Sequence, residues 1–185
     1  MISLVFPALA LIGAGIHLTL TKEPRTRERI AEVLLLYLLV FGIGVTSLYA
    51  FIGHAFTPDQ AAAAIGWPAG NLFQLEVAGA NLGFGVLGVL CVWRRGSWWS
   101  ATAIGSACFL WVAAYAHIYD YIVNDNTAIN NTGPILYTDI FVPLAILLLL
   151  AYVRRAERTH PQPGPEASAA ATARAGGRVR PQHGA

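Results

Sequence analysis

Six ionisable side chains lie inside long apolar runs of this sequence, and their types could support metal binding or acid–base chemistry. They are His17, His54, Glu76, His117, Asp120 and Asp139. An ionisable side chain at the centre of a membrane helix costs about 2.5–3.5 kcal/mol, so such residues usually face a bundle interior or a cavity. Neutral imidazoles and carboxylates together suit zinc, iron or manganese. We therefore predict a divalent-metal site of His54, Glu76, His117 and Asp120, in which Glu76 and Asp120 are also catalytic.

The spacing of these residues supports a shared site. His117 and Asp120 are three positions apart, so on a helix they lie on one face. Glu76 shares a helical face with Gly79 and Gly83, and such small residues favour close helix packing. Glu76 is therefore predicted to point inward. The Gly79/Gly83 face is also the predicted contact of a homo-oligomer.

Two further polar residues, Asn81 and Asp139, are predicted to belong to the site or its surroundings. Asn81 lies about 140° around the helix from Glu76, which suggests a different contact or a deeper part of the cavity. Asp139 lies near the start of the last apolar run, where it fits either the site or a solvated helix end. His17 lies toward the far end of the first run, so we expect it to be outside the site.

The same residues also fit a structural role, in which they pair with one another and with backbone groups to hold a small bundle together. For His54, near the end of its run, the two interpretations are equally supported. The sequence contains no His-Glu-x-x-His and no Glu-x-x-His motif. The metal hypothesis therefore depends on the shared depth of the residues in their helices.

The elements that must position these residues are membrane-spanning helices. The chain has 185 residues, of which 56% are hydrophobic and 12% are charged, against roughly 25% charged residues in an ordinary soluble domain. Apolar runs occur at about 2–20, 31–56, 72–93, 98–123 and 135–153. Each is long enough to cross a hydrocarbon core about 30 Å thick. The predicted fold class is all-α, a polytopic bundle of five transmembrane helices in a lipid bilayer.

The basic residues predict the orientation of these spans. The twelve Lys and Arg residues follow the first, third and fifth runs or lie in the tail, whereas loops 57–71 and 124–134 contain none. Cytoplasmic loops carry the excess of Lys and Arg, so we expect the amino terminus outside and the carboxyl terminus in the cytoplasm of a cell-membrane protein. The predicted site then lies near the outer leaflet. No basic stripe indicates a nucleic-acid partner.

The loop after the second run has the signals of a short interfacial helix. Thr57 occupies the capping position, Pro58 the first helical position, and Gly66 the end. Cys91 and Cys108 both lie in apolar runs without a Cys-x-x-Cys spacing, so both are predicted to be buried small apolar residues.

The last part of the chain differs in composition from the rest. Residues 159–185 are rich in Pro, Ala, Gly and Arg and have no apolar period. We expect a disordered cytoplasmic tail that follows a membrane domain of residues 1–158.

Three stretches between about residues 54 and 85 carry a family pattern. They are His54-Ala55-Phe56-Thr57-Pro58-Asp59, then Ile65-Gly66-Trp67-Pro68, then Phe73-Gln74-x-Glu76-Val77 with Ala80-Asn81-Leu82. Together they resemble an uncharacterised bacterial membrane-protein family that is a domain of unknown function, and the chain is also loosely similar to DoxX-like small membrane proteins. The resemblance implies a compact helical bundle with His54, Glu76 and Asn81 in its patterned part, and it supplies no activity.

Three functions fit these observations. The first is a metal-dependent membrane enzyme that acts on a small or lipidic substrate at the outer leaflet. The second is a transport or accessory protein that uses the same residues as a proton or ion path. The third is a bis-His haem or quinone-linked electron carrier with His54 and His117 as axial ligands, against which the buried carboxylates argue. The sequence identifies neither the substrate nor the reaction.

Overall fold

The computed structural model describes residues 2–159, and within that range the chain forms helices, turns and loops without a β-strand. Five helical segments are long and apolar enough to cross a membrane: Ile2–Leu20, Arg27–Phe56, Phe73–Leu90, Ser97–Asn124 and Ile129–Thr159. This confirms the predicted all-α fold with five spans. Apart from Thr159, the predicted tail lies outside the described residues.

The first two spans are built from several helical segments. Helix α1 (Val5–Leu20) follows a 3-10 turn at Ile2–Leu4. The second span joins α2 (Arg27–Tyr37), a π-helical segment (Leu38–Val45) and α3 (Thr46–Phe56) into one continuous helix. It begins earlier than predicted because the Thr26 hydroxyl accepts a hydrogen bond from the Arg29 amide at 3.2 Å and caps α2. The π-helical segment was not predicted.

The short helix after the second span is present as α4 (Pro58–Ile65), with Pro58 in its first turn. It ends at Gly66, whose φ of 84° lies in the left-handed region that glycine adopts without strain. The sequence predicted that the Thr57 side chain caps this helix. It does not, because its hydroxyl donates to the Gly53 carbonyl at 2.9 Å.

The remaining helices are α5 (Phe73–Leu90), α6 (Ser97–Asn124), the single turn α7 (Ile129–Thr132) and α8 (Pro134–Thr159). The chain divides into two compact units, residues 1–153 and the part from Arg154 onward, so α8 crosses the division. In the second unit, Arg154 donates to Glu157 at 2.8 Å.

A backbone-to-backbone crossing joins the second and third spans. A Cβ added at Gly88 would lie 2.5 Å from the Gly44 nitrogen, so the two helices approach as closely as glycine allows. The buried face of α5 is formed by Gln74, Ala78, Asn81, Gly85 and Gly88. The prediction that Gly79 and Gly83 pack against another helix of the bundle is therefore wrong, since a Cβ at either glycine would meet nothing within 4 Å.

Large hydrophobic side chains stay exposed along the spans. Examples are Leu11, Ile52, Val86, Val112 and Leu148. Soluble monomers rarely expose continuous apolar surface of this kind, whereas a bilayer would cover it. Cys108 lies on this exposed surface and Cys91 is buried, so the prediction of burial is right for Cys91 and wrong for Cys108.

The turn between α5 and α6 is anchored by Trp99. Its indole nitrogen donates to the Cys91 carbonyl at 2.9 Å, and the side chain is only 3% exposed. The Arg95 guanidinium lies 5.0 Å from the centre of the Trp99 ring and pairs with Glu32 of α2. Trp99 therefore connects α6 to the end of α5 and, through Arg95, to α2.

Candidate functional site

A cavity of about 700 Å³ opens between the spans on the side of the bundle that carries α4. Its walls come from the start of the first span, the second half of the second span, α4, the middle of α6, and the first halves of α5 and α8, with Asn130 of α7. Most lining residues are apolar or aromatic. Five of the polar residues singled out by the sequence line it: His54, Glu76, Asn81, His117 and Asp139.

Among the polar groups of the cavity, His117 has the most completely defined orientation and hydrogen bonding. It is 7% exposed, and its Nδ1 lies 2.8 Å from Asn131 Oδ1. The orientation of the Asn131 amide follows from its nitrogen, which donates to the carbonyls of His117 at 3.2 Å and Asn126 at 2.8 Å. Asn131 Oδ1 must then be an acceptor, so Nδ1 of His117 carries the proton and Nε2 presents a lone pair.

Trp67, in the loop before α5, covers His117. The two rings stack with centroids 5.8 Å apart and planes at 25°. The Trp67 indole nitrogen donates to Asp120 Oδ2 at 2.8 Å. The side-chain nitrogens of Asn124 and Asn126 also donate to Asp120. Asp120 is thus surrounded by donors and is absent from the cavity lining, so the structure gives it the position of a residue that orients Trp67.

His54 is held in a similar way by an amide. Its Nδ1 lies 2.6 Å from Oε1 of Gln74, which is 3% exposed on the buried face of α5. The contact forms because α3 packs along α5 over most of its length. Since an amide oxygen only accepts, Nδ1 of His54 donates to Gln74. Nδ1 is thus the donor atom in both cavity histidines.

The carboxylates differ in their surroundings. Glu76 lines the cavity from the first turn of α5, where a negative charge is favourable, and its side chain is exposed. Asp139 of α8 is 7% exposed and faces the cavity. Asn81 of α5 is buried in the same lining and uses its amide nitrogen to donate to the Val77 carbonyl at 2.9 Å.

The predicted four-residue metal site is not assembled in this arrangement. Within residues 2–159, no three His, Cys, Asp or Glu side chains lie close enough together to hold one metal ion. The structure brings His54, Glu76 and His117 to one cavity and leaves Asp120 outside it. His17 lies apart from them, with its ring nitrogens 3.3 Å from Arg29 and 3.4 Å from Tyr37.

Sequence reasoning missed Gln74, Asn131 and Trp67. Gln74 and Asn131 are uncharged amides, which pattern analysis does not separate from ordinary polar residues. A signal was present at the end of α6 and in the loop that follows, where Asn124, Asn126 and Asn131 occur within a few positions in a segment without Lys or Arg. Such a concentration of side-chain amides indicates local hydrogen bonding to backbone groups.

The residues of this cavity can be compared with known families. The chain belongs to the DUF6790 family, a family of unknown function, whose model matches residues 1–159. The match thus covers every residue of the cavity. No curated protein and no solved structure matches the chain.

Proposed function

We propose that this protein is an integral membrane protein that binds a small amphipathic or lipidic molecule in its cavity and performs acid–base chemistry on the polar part of that molecule. His54, His117 and Glu76 are the acid–base groups. The observation that carries the proposal is the amide-held His117, whose Nε2 lone pair belongs to a cavity with mostly apolar walls. A neutral imidazole with one fixed tautomer is a suitable general base at physiological pH.

The supporting groups keep that imidazole in place. Asn131, fully buried, fixes the tautomer from one side, and Trp67 covers the ring face from the other. Ligand cavities typically combine apolar walls with a few oriented polar groups, and this cavity has that composition.

A transport role is the less favoured alternative. The cavity lining comes from one half of each span, and the cluster of His17, Arg29 and Tyr37 at the other half does not contribute to it. A one-sided pocket suits binding or chemistry better than a continuous path.

A metal-dependent form of the same chemistry is the second candidate, and one observation favours it. Histidines that bind metals usually donate one ring N–H to a neighbouring oxygen and bind through the other nitrogen. His54 and His117 both have that arrangement, with Gln74 and Asn131 as the acceptors. Zinc, iron or manganese would then need a further ligand, from Glu76 after a side-chain movement or from the substrate. Neither of these two hydrogen bonds, His54 with Gln74 and His117 with Asn131, needs a haem iron to explain it.

Location and assembly are part of the proposal. We propose a protein of the bacterial plasma membrane with its amino terminus outside, supported by the basic residues that follow the first, third and fifth spans. The cavity would then open toward the outer leaflet. Self-association through Gly79 and Gly83 stays a prediction, and their open helix face supports it. The kinship with DoxX-like proteins also stays a prediction.

The experiment is an untargeted search for substrate. Purified full-length protein in lipid nanodiscs is incubated with an extract of lipids and small molecules from the cells that express it. Liquid chromatography with mass spectrometry then compares the extract before and after incubation. We expect at least one amphipathic species to be consumed and a product to appear, including a product of equal mass and different retention.

The control variants separate the site from the rest of the bundle. His117→Gln and His54→Gln should abolish the conversion, whereas His17→Gln, the same change outside the cavity, should leave it unchanged. Metal analysis of protein purified without chelator runs in parallel. About one metal per chain, lost in both cavity variants, would establish the second candidate. If a compound binds to the protein and is recovered with the same mass and retention, the enzyme proposal is wrong and the protein is a carrier.

A further inference from the structure

Asp139 is a buried acid in the cavity without a partner. It is 7% exposed, it lines the cavity, and no described residue donates a hydrogen bond to it or forms an ion pair with it. A carboxyl group removed from water is ionised only when another group supplies donors or positive charge, and otherwise it keeps its proton. The acid–base proposal above gives Asp139 no role, and a bound ligand is one source of such a group.

The described part of the chain, residues 2–159, offers no cation for this position. No Lys or Arg of the described chain lines the cavity. The basic residues of that part of the chain lie at 22–29, 94–95 and 154–158, away from the first turns of α8. The cavity histidines direct Nδ1 to the amide oxygens of Gln74 and Asn131, and neither forms an ion pair with Asp139.

The backbone around Asp139 adds a further acceptor. Pro143 lies four residues later inside α8, and both residues are buried on the same helix face. Because proline has no N–H, it cannot donate the helical hydrogen bond to the Asp139 carbonyl. The carboxylate and this carbonyl are therefore two acceptors on one side of α8.

Two other side chains of the cavity lining also present acceptors. Asn81 uses its amide nitrogen on the Val77 carbonyl, so its Oδ1 is left for another donor. Thr46 of the lining donates its hydroxyl hydrogen to the Phe41 carbonyl, so only its lone pairs are left. A molecule that meets these groups must bring hydrogen-bond donors and positive charge.

The rest of the cavity limits what else that molecule contains. Its walls include the aromatic rings of Phe6, Tyr49, Trp67 and Phe73. Such rings bind apolar groups and also attract organic cations over their faces. A volume of about 700 Å³ with these walls suits an organic ligand better than a bare inorganic cation, which would leave the apolar part unfilled.

We propose that the molecule bound in the cavity is an amphipathic organic cation, a protonated amine with an apolar chain, whose ammonium group binds Asp139 and Asn81. This inference rests on the proposed ligand-binding function and names the class of its ligand. The apolar chain lies against the aromatic walls, and the ammonium hydrogens are donated to the carboxylate and amide oxygens.

The experiment compares three probes of equal chain length. Full-length protein in nanodiscs is titrated calorimetrically at pH 7 with hexylammonium chloride, 1-hexanol and sodium hexanoate, and empty nanodiscs are subtracted. At this pH the amine is charged, as a lysine side chain is. We expect hexylammonium to bind at least about tenfold more tightly than hexanol, because a charge-assisted hydrogen bond replaces a neutral one. Hexanoate should bind most weakly, since it meets Asp139 with a like charge.

Two matched variants locate the effect. Asp139→Asn should reduce hexylammonium affinity to that of hexanol while hexanol binding persists, which also shows that the cavity is folded. Asp125→Asn removes the same charge from an exposed residue outside the cavity and should preserve the preference. Its left-handed backbone, with φ of 53°, is one that Asn adopts readily.

The outcomes separate the two proposals. Hexanol binding as tight as hexylammonium binding in the wild type would overturn the amine inference and leave the ligand-binding function standing, whether or not Asp139→Asn folds. An Asp139-dependent response to sodium chloride alone, with no preference for the amine, would also overturn it in favour of an inorganic cation. No binding of any of the three probes would count against both proposals.

Discussion

The indole of Trp67 stacks on the imidazole of His117, with ring centroids 5.8 Å apart and planes inclined by 25°. Trp67 belongs to the loop between α4 and α5, whereas His117 lies near the end of α6. A loop side chain is therefore part of the wall beside the most buried imidazole of the cavity. The position of that loop should control access to the cavity, and its anchor is Asp120.

The first prediction concerns this anchor. Asp120→Asn replaces a charged acceptor by a neutral amide, so its hydrogen bonds with Trp67, Asn124 and Asn126 weaken. We expect faster hydrogen–deuterium exchange over residues 66–72, measured by mass spectrometry in nanodiscs. Asp125→Asn, the matched change at an exposed neighbour, should leave exchange in that loop as it is. Equal exchange in wild type and Asp120→Asn would show that Trp67 is held by stacking and packing alone.

A second prediction concerns the crossing of the second and third spans. Gly88→Ala places a methyl group 2.5 Å from the Gly44 nitrogen, where backbone and not a flexible side chain must give way. We expect a loss of about 1–3 kcal/mol of stability, typical of overpacking, measured by reversible unfolding in mixed micelles. Gly83→Ala in the same helix meets open space and serves as the control. A Gly88→Ala variant as stable as Gly83→Ala would contradict the close crossing.

The third prediction concerns orientation. With Cys91 and Cys108 replaced by alanine, a single cysteine is introduced at Ala63 in α4 or at Thr127 before α7, both exposed positions. An impermeant thiol reagent should label either one in intact cells, because the distribution of basic residues predicts that these segments lie outside. A cysteine at Arg94 should react only after lysis. The reverse pattern would show that the cavity opens toward the cytoplasm.

The spans could be predicted from the sequence because their signals are local. Long apolar runs determine them, and Pro58 and Gly66 mark the ends of α4. The helix contacts depend on which row of α5 packs inward, and Gly79/Gly83 and Gly85/Gly88 are both rows of small residues. Only the tertiary structure, in which α5 crosses Gly44, distinguishes the two.

The site was predictable in part for a similar reason. The depth of each residue in its helix follows from its position along a span, and it predicted that His54, Glu76 and His117 lie together. All three line one cavity. It did not separate His117 from Asp120, which are three positions apart but contact different groups. Their partners, Asn131 and Trp67, come from loops whose path cannot be inferred from periodicity.

The last prediction tests the protonation pattern of His117, on which the acid–base proposal depends. Asn131 Oδ1 accepts from Nδ1, while its amide nitrogen donates to the carbonyls of His117 and Asn126. In protein labelled with nitrogen-15 histidine, Nδ1 of His117 should have the shift of a protonated ring nitrogen and Nε2 that of an unprotonated one. His117→Gln assigns the signals by their disappearance.

Asn131→Leu removes the acceptor and leaves the His117 ring N–H and the Asn126 carbonyl without the partner that Asn131 supplies, whereas the His117 carbonyl keeps its hydrogen bond within α6. We expect a loss of about 1–3 kcal/mol for each buried group left unsatisfied, and a shift of the His117 proton toward Nε2. Asn130→Ala, at the exposed neighbouring residue, should change neither the tautomer nor the stability appreciably. If wild-type His117 carries its proton on Nε2, that atom presents a donor instead of a lone pair to the cavity. His117 could then serve neither as the base nor as a metal ligand through Nε2, and His54 would be left as the only imidazole for either role.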